Sequence, residues 1–326
     1  MTTPKPLLMS RRDVLHLVCG SLALGALGGC TRMPLKIAIN PWVGYQFLFL
    51  AQIEGWLDGG DIELIRSKTL ADSVAAIREG AVDGAALTLD EILQLLDRGI
   101  DVKVLMVFDS SSGADALLVK PEITRFADLK GKRIAIENTS LGSFMLNKVL
   151  ATGGLVHEDV EIVLMDFDHV QFWDTHKLDA IISYVPAMNQ LMAKGLVKLF
   201  DTRSIPGSIV DVLAVRSEAI QRNSGALRQL IAGHFLAVNF WRSNPFDANY
   251  RFSRHLGVEA GQVDDLFKYL DLPDAPYNRQ YLSPPAQELK NTAQELSQIM
   301  LMNGQLKSPP KLDTLFLPDY LPGNLE

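Results

Sequence analysis

Asn40-Pro41-Trp42-Val43-Gly44-Tyr45 sets two aromatic rings with polar tips beside a glycine-flexed turn. A turn from strand to helix offers free amide donors and the positive end of the helix dipole. Trp42 and Tyr45 therefore read as a binding wall, with core packing as the alternative. Thr88-Leu89-Asp90-Glu91 has the form of a capping box, Thr88 capping the helix while Glu91 reaches back. The same Thr88 hydroxyl could instead face a ligand. Asp109-Ser110-Ser111-Ser112-Gly113-Ala114-Asp115 and Glu137-Asn138-Thr139-Ser140-Leu141-Gly142-Ser143 are small, polar turns rich in donors. Ser183-Tyr184-Val185-Pro186 could bring a third ring to the same place, and Asp211 is either a site carboxylate or a solvated charge at a strand end. The candidate ligand-binding residues are thus Trp42, Tyr45, Thr88, Asp109, Glu137, Thr139, Ser140, Tyr184 and Asp211.

The elements that must hold these turns alternate. Leu35–Asn40 reads as a strand bounded by prolines, Gly44–Trp56 as a buried helix, and Asp61–Ile65 as the next strand. Leu70–Gly80 reads as a helix ending at a glycine cap, Val82–Leu87 as a strand, and Val102–Phe108 as another after a helix ending near Arg98-Gly99. Such β-α-β order implies right-handed crossovers and a mostly parallel sheet, with ligands beyond the strands' carboxyl ends. A second unit of the same kind runs from Ala116 to Ala193. After Val210–Val215 the pattern becomes helical, at 226–241, 247–255, 261–270 and 285–302, and a Pro- and Leu-rich tail from Lys307 is expected to wrap a surface.

Several functions are excluded. The 326 residues carry a formal net charge of -7, without the basic footprint of a nucleic-acid binder. No Gly-x-Gly-x-x-Gly, Walker loop or Gly-x-Ser-x-Gly elbow occurs. The histidines, loosely spaced His169 and His176 included, do not make a metal set, and no cofactor is expected.

Residues 1–29 read as an export signal: Lys5, Arg11 and Arg12, then the apolar run Val14–Leu27. Ser10-Arg11-Arg12-Asp13-Val14-Leu15 resembles the twin-arginine motif, and Leu27-Gly28-Gly29-Cys30 a bacterial lipobox with Cys30 as the lipidated residue. An uncleaved anchor is the alternative, although the run is short for a span of about 20 residues. Residues 30–34 would then be the lipidated cysteine and a short tether, with no disulfide in the exported domain.

On Asn40–Tyr45, Gly84–Glu91, Asp109–Ala116, Leu129-Lys130-Gly131-Lys132-Arg133-Ile134-Ala135 and Leu178-Asp179-Ala180, the chain resembles substrate-binding proteins of ABC importers. The resemblance is to the nitrate/sulfonate/taurine/thiamine-precursor family, and it covers Leu35 to about Leu256. It implies a two-lobed periplasmic-binding-protein type II α/β fold, with 35–110 plus 209–326 as lobe 1 and 111–208 as lobe 2. The hinge would lie near Asp109–Gly113 and Gly207–Asp211, and Trp42, Tyr45, Thr88, Asp109, Ser140 and Tyr184 would fall in the cleft. It also implies a non-enzymatic monomer with an ABC permease and its ATPase as partners; with the lipid on Cys30 the protein would be exported and anchored at the periplasmic face of the inner membrane or in the cell envelope. At Tyr184-Val185-Pro186 the chain departs from the family, where an acidic residue commonly precedes the proline. The ligand could be a sulfonate, a nitrate-like anion, an amine or a pyrimidine or vitamin precursor. Acids rather than basic residues at strand ends favour an amine, amidine or nitrogen heterocycle stacked on Trp42 or Tyr45, while helix starts at Gly44, Thr88 and Ser140 could hold an anion. A ligand sensor for a membrane partner and a pyrimidine-precursor synthase-like enzyme are the alternatives on the same architecture.

Overall fold

Continuous apolar runs such as Gly84-Ala85-Ala86-Leu87 and Val212-Leu213-Ala214-Val215 belong in sheets covered on both faces, and the structure, a computed structural model, buries both. It describes residues 33–57, 59–166, 168–284 and 288–323. The expected export signal and the lipidation at Cys30 lie outside the described residues. Among those described, no helix is long and apolar enough to cross a membrane.

Two sheets form. The first contains β1 (Leu35–Ile39), β2 (Ile62–Arg66), β3 (Gly84–Thr88), β4 (Val102–Ser111), β10 (Val210–Arg216) and β11 (Leu270–Asp271), in the order β11-β4-β10-β3-β1-β2. The second contains β5 (Asp115–Val119), β6 (Arg133–Glu137), β7 (Glu161–Met165), β8 (Ala180–Tyr184) and β9 (Val197–Asp201), in the order β7-β6-β8-β5-β9. The two helix-flanked sheets are those of the expected type II fold. Pairing is mixed rather than mostly parallel. β1 pairs parallel with β2 and β3, and β6 with β7 and β8, as β-α-β order requires. β10 runs antiparallel to β3 and β4, and β5 to β8 and β9. The reason is the connectivity: β4 leads straight into β5 of the other sheet, and β9 leads back into β10, so these strands enter without a helical crossover.

Both passages are pinned where the chain changes sheet. Thr202 Oγ1 lies 2.7 Å from Ser111 Oγ and accepts from Gly113 N at 2.7 Å. One buried hydroxyl thus joins the outgoing and the returning strands.

On the first sheet, the helix Gln46–Ile53 packs against the long helix Ser224–Ser243. Phe47 lies among His234, Trp241, Phe252 and Phe267, with centroid separations of 5.0–5.9 Å. His234 is fully buried among these rings, and that burial pushes its pKa down to about 3, so it packs as a neutral ring. The C-terminal tail does cover a surface. Val104 N donates to Leu315 O, Leu317 N donates to Val104 O, and Leu312, Leu315 and Leu321 are buried.

Candidate functional site

The carboxyl ends of the parallel strands and the starts of the antiparallel ones point to one level, because antiparallel neighbours reverse the chain. Asp211 opens β10 opposite Thr88 of β3 on one side and Asp109 of β4 on the other. Asp115 opens β5 directly opposite Tyr184 at the end of β8. A cavity of about 370 Å³ lies between these two rows, lined from the first sheet by Trp42, Tyr45, Thr88 and Asp211 and from the second by Asp115, Glu137, His169 and Tyr184. Trp42 and Tyr184 meet edge to face across it, with centroids 5.9 Å apart at 78°.

The two first-sheet rings are each held by a carboxyl group behind them. Trp42 Nε1 donates to both oxygens of Asp109 at 3.2 Å. Tyr45 OH donates to Asp211. Gly44 makes this possible: a Cβ there would lie 1.8 Å from Asp109 Oδ2. Gly44→Ala is therefore expected to push Asp109 off Trp42 and lower stability by ~1–3 kcal/mol. Its tryptophan fluorescence and melting temperature should change together, and an unchanged spectrum with an unchanged melt would refute the packing argument.

On the second sheet, Tyr184 OH donates to Glu137 Oε2 at 3.4 Å, and the ring lies 4.8 Å from that of His169. His169 Nδ1 pairs with Ser183 Oγ at 2.9 Å, and burial pushes the imidazole down to about 4, so it is neutral at pH 7.

Asp90, Glu91, Asp109, Asp115 and Asp211 are buried here without an ion pair, and the half-buried Glu137 likewise has none. Burial disfavours the charged form. It raises Asp115 to about 6, Asp109 and Glu137 to about 7, and Glu91 to about 8. Desolvation also lifts Asp90, and it lifts Asp211 well above the carboxylate range, helped by the nearby Asp109 charge.

Of the sequence candidates, the structure brings Trp42, Tyr45, Thr88, Glu137, Tyr184 and Asp211 to the cavity wall. Asp109 stands behind Trp42. Thr139 caps its helix, accepting from Gly142 N at 3.1 Å. Ser140 turns to the opposite wall, its hydroxyl bonded to Asp90 and, at 2.8 Å, to Glu91. Asp211 is not a solvated charge but 2% exposed. The expected capping box at Thr88–Glu91 does not form: Thr88 makes no side-chain cap, and Glu91 is held by Ser140. A box forms instead at Thr69 and Asp72, with reciprocal bonds of 3.1 and 3.0 Å.

Sequence reasoning did not nominate Asn40, Asp115 or His169 as site residues. All three line the cavity and carry buried side-chain atoms without a hydrogen-bond partner: Asn40 Nδ2, Asp115 Oδ2 and His169 Nε2. Thr88 Oγ1 is the fourth such atom on the wall; it lies near Asp90 but forms no well-directed bond. The signal for His169 was present, since Asp168-His169 opens a helix just after β7.

Comparison with known proteins gives consistent results. The family model described as "NMT1/THI5 like" matches residues 43–248. The chain spans about half the length of several curated relatives that it matches. The taurine-binding periplasmic protein of Escherichia coli (strain K12) is 24% identical over 221 residues, 64% of this chain and 68% of that one. The periplasmic aliphatic sulphonate binding protein SsuA of Escherichia coli superposes with a TM-score of 0.73 at 15% identity, covering 88% of this chain and 98% of the other. The desulfurization enzyme DszB shares the fold, with a TM-score of 0.64 at 20% identity over 88% of this chain and 97% of its own.

Proposed function

This chain belongs to the NMT1/THI5-like family, and from that premise we propose that it is an exported solute-binding protein that closes two lobes on a small molecule and presents it to an ABC permease. The observation that carries this reading is the cavity itself. Both sheets line it, and each supplies buried polar atoms lacking a partner within the protein: Asn40 Nδ2 and Thr88 Oγ1 from one side, Asp115 Oδ2 and His169 Nε2 from the other. A buried polar atom without a partner costs about 1–3 kcal/mol, and a solute touching both walls relieves that cost only when the walls are together. The solute thereby favours the closed state by its differential affinity.

In this reading the lobes are residues 35–110 with 209–326, and 111–208, and they bend at the two strand passages. Capture makes and breaks no covalent bond, so the site needs no catalytic group. Export and anchoring through Cys30 complete the proposal, supported by the lipobox-like sequence and by the periplasmic relative.

A thermal-shift screen of the domain against sulfonates, anions, amines, pyrimidines and vitamins tests it. A ligand at 100 times its Kd adds about 2.7 kcal/mol of stability. One class of hits, recovered chemically unchanged, supports capture. Recovery of a converted product would make the protein an enzyme instead. Binding without any uptake defect in a deletion strain would favour a sensor.

A further inference from the structure

We infer that the cavity takes a small organic cation, an ammonium or amidinium group held among Asp115, Glu137 and Asp211 with its apolar part against Trp42 and Tyr184. This rests on the solute-binding reading above.

The first support is the balance of unpartnered atoms. Asn40 is 6% exposed and offers only a donor, since its Oδ1 already accepts from Trp42 N at 3.0 Å. Asp115 Oδ2 is an acceptor, 3% of that residue being exposed. Thr88 Oγ1 and the neutral His169 Nε2, 5% and 1% exposed as residues, can also accept. Asp115 Oδ2 needs a donor and Thr88 Oγ1 and His169 Nε2 can each take one, so a group with several N–H donors serves these three, whereas a sulfonate or nitrate, which only accepts, leaves Asp115 Oδ2 without a partner.

The second support is that the three helix starts considered above for an anion, at Gly44, Thr88 and Ser140, each have a carboxyl group of the protein beside them. Asp109 lies against Gly44, at the start of the first helical segment. Asp90 and Glu91 occupy the first turn after Thr88. The same two carboxyls bond Ser140, at the start of the helix Ser140–Gly153. The one Lys or Arg lining the cavity among the described residues is Lys68, and it is exposed.

The third support is aromatic. The Trp42 and Tyr184 rings are partly exposed on the wall, where a cation over a ring face gains about 0.5–2 kcal/mol.

Asp115 and Glu137 sit near 6 and 7 when the cavity is empty, so a cation must displace protons from them. The ionisable groups around them are Asp90, Glu91, Asp109, Asp166, Asp168, Asp211, neutral His169, Tyr45, Tyr184 and Lys68. Cation affinity should therefore rise from pH 6 to pH 8, by about tenfold where Glu137 must ionise and about twofold where Asp115 must.

The test uses phenethylammonium and benzamidinium beside their shape-matched opposites, phenylmethanesulfonate and neutral benzyl alcohol. Ligand released from the purified protein would be identified by mass spectrometry in parallel. We expect the cations alone to raise the melting temperature, more at pH 8 than at pH 6, and the released ligand to be a base. Glu137→Gln and Asp115→Asn should each weaken cation binding about 10–100-fold while leaving the empty protein as stable or more so. A purely structural carboxyl would show the reverse, lost stability with unchanged affinity. Stabilisation by sulfonate or neutral probes without the cations overturns this inference and leaves the solute-binding reading standing. Silence of the cations in a screen that finds other solutes does the same. Silence of every class counts against both.

Discussion

Between pH 6.5 and pH 8 the empty protein is expected to lose ~2–3 kcal/mol of stability, at ~1.4 kcal/mol per unit of pKa difference, and to melt about 3–6 °C lower. Asp109 and Glu137 are raised to about 7 and Glu91 to about 8, from ordinary values of 3.8 and 4.5. In this window the unfolded chain has already released these protons and the folded chain still holds them. Stability therefore falls as pH rises through the folded values. The upward shifts of Asp90 and Asp211 act in the same direction. His169 and His234, lowered to about 4 and 3, act oppositely but chiefly below pH 6.5, where the unfolded imidazoles charge. Carboxyls held low by ion pairs, such as Asp159 and Asp201, lose their contribution only in acid. Melting curves across the window decide the matter: a flat or rising melting temperature would mean that these carboxyls are not protonated in the folded state.

Phe47→Ala is expected to remove ~3–5 kcal/mol, the range for emptying a buried aromatic position. Phe47 is 0% exposed and touches rings from three separate stretches, at His234 and Trp241, at Phe252, and at Phe267. No neighbour can fill the space without moving a helix. Phe47→Leu keeps most of the volume and should recover about half of the loss. Urea denaturation would give both values, and a loss below ~1 kcal/mol for the alanine variant would show that the cluster collapses around the gap.

Much of this architecture could be read without coordinates, for identifiable reasons. β1 alternates between prolines and is followed by a helix, so the Trp42 and Tyr45 turn was placed correctly by the rule for strand ends. The same rule led past Asp115, because β5 is antiparallel and delivers its first residue, not its last, to the cavity. His169 belongs to no metal set, and its place at the start of a helix beyond β7 is the signal that it faces the cavity. The Thr88–Glu91 spacing matches a capping box, yet a carboxyl close to two other acids and a serine is claimed by tertiary partners that no local pattern reveals. Likewise Asp109 and Asp211 were recognisable as residues at strand ends. That they face each other across β4 and β10, out of water, depends on the register of a strand returning from the other sheet.

Ser140 is gripped twice from the opposite wall. Its hydroxyl bonds Asp90 and Glu91, and its carbonyl accepts from Gln305 Nε2 at 3.2 Å, from the segment following the last long helix. It is absent from the cavity lining. If the two lobes part as proposed, both grips must release before the contents can escape. Dwell time inside is then governed in part by a residue that the contents never meet, and Ser140→Ala should hasten escape more than it changes the rate of entry.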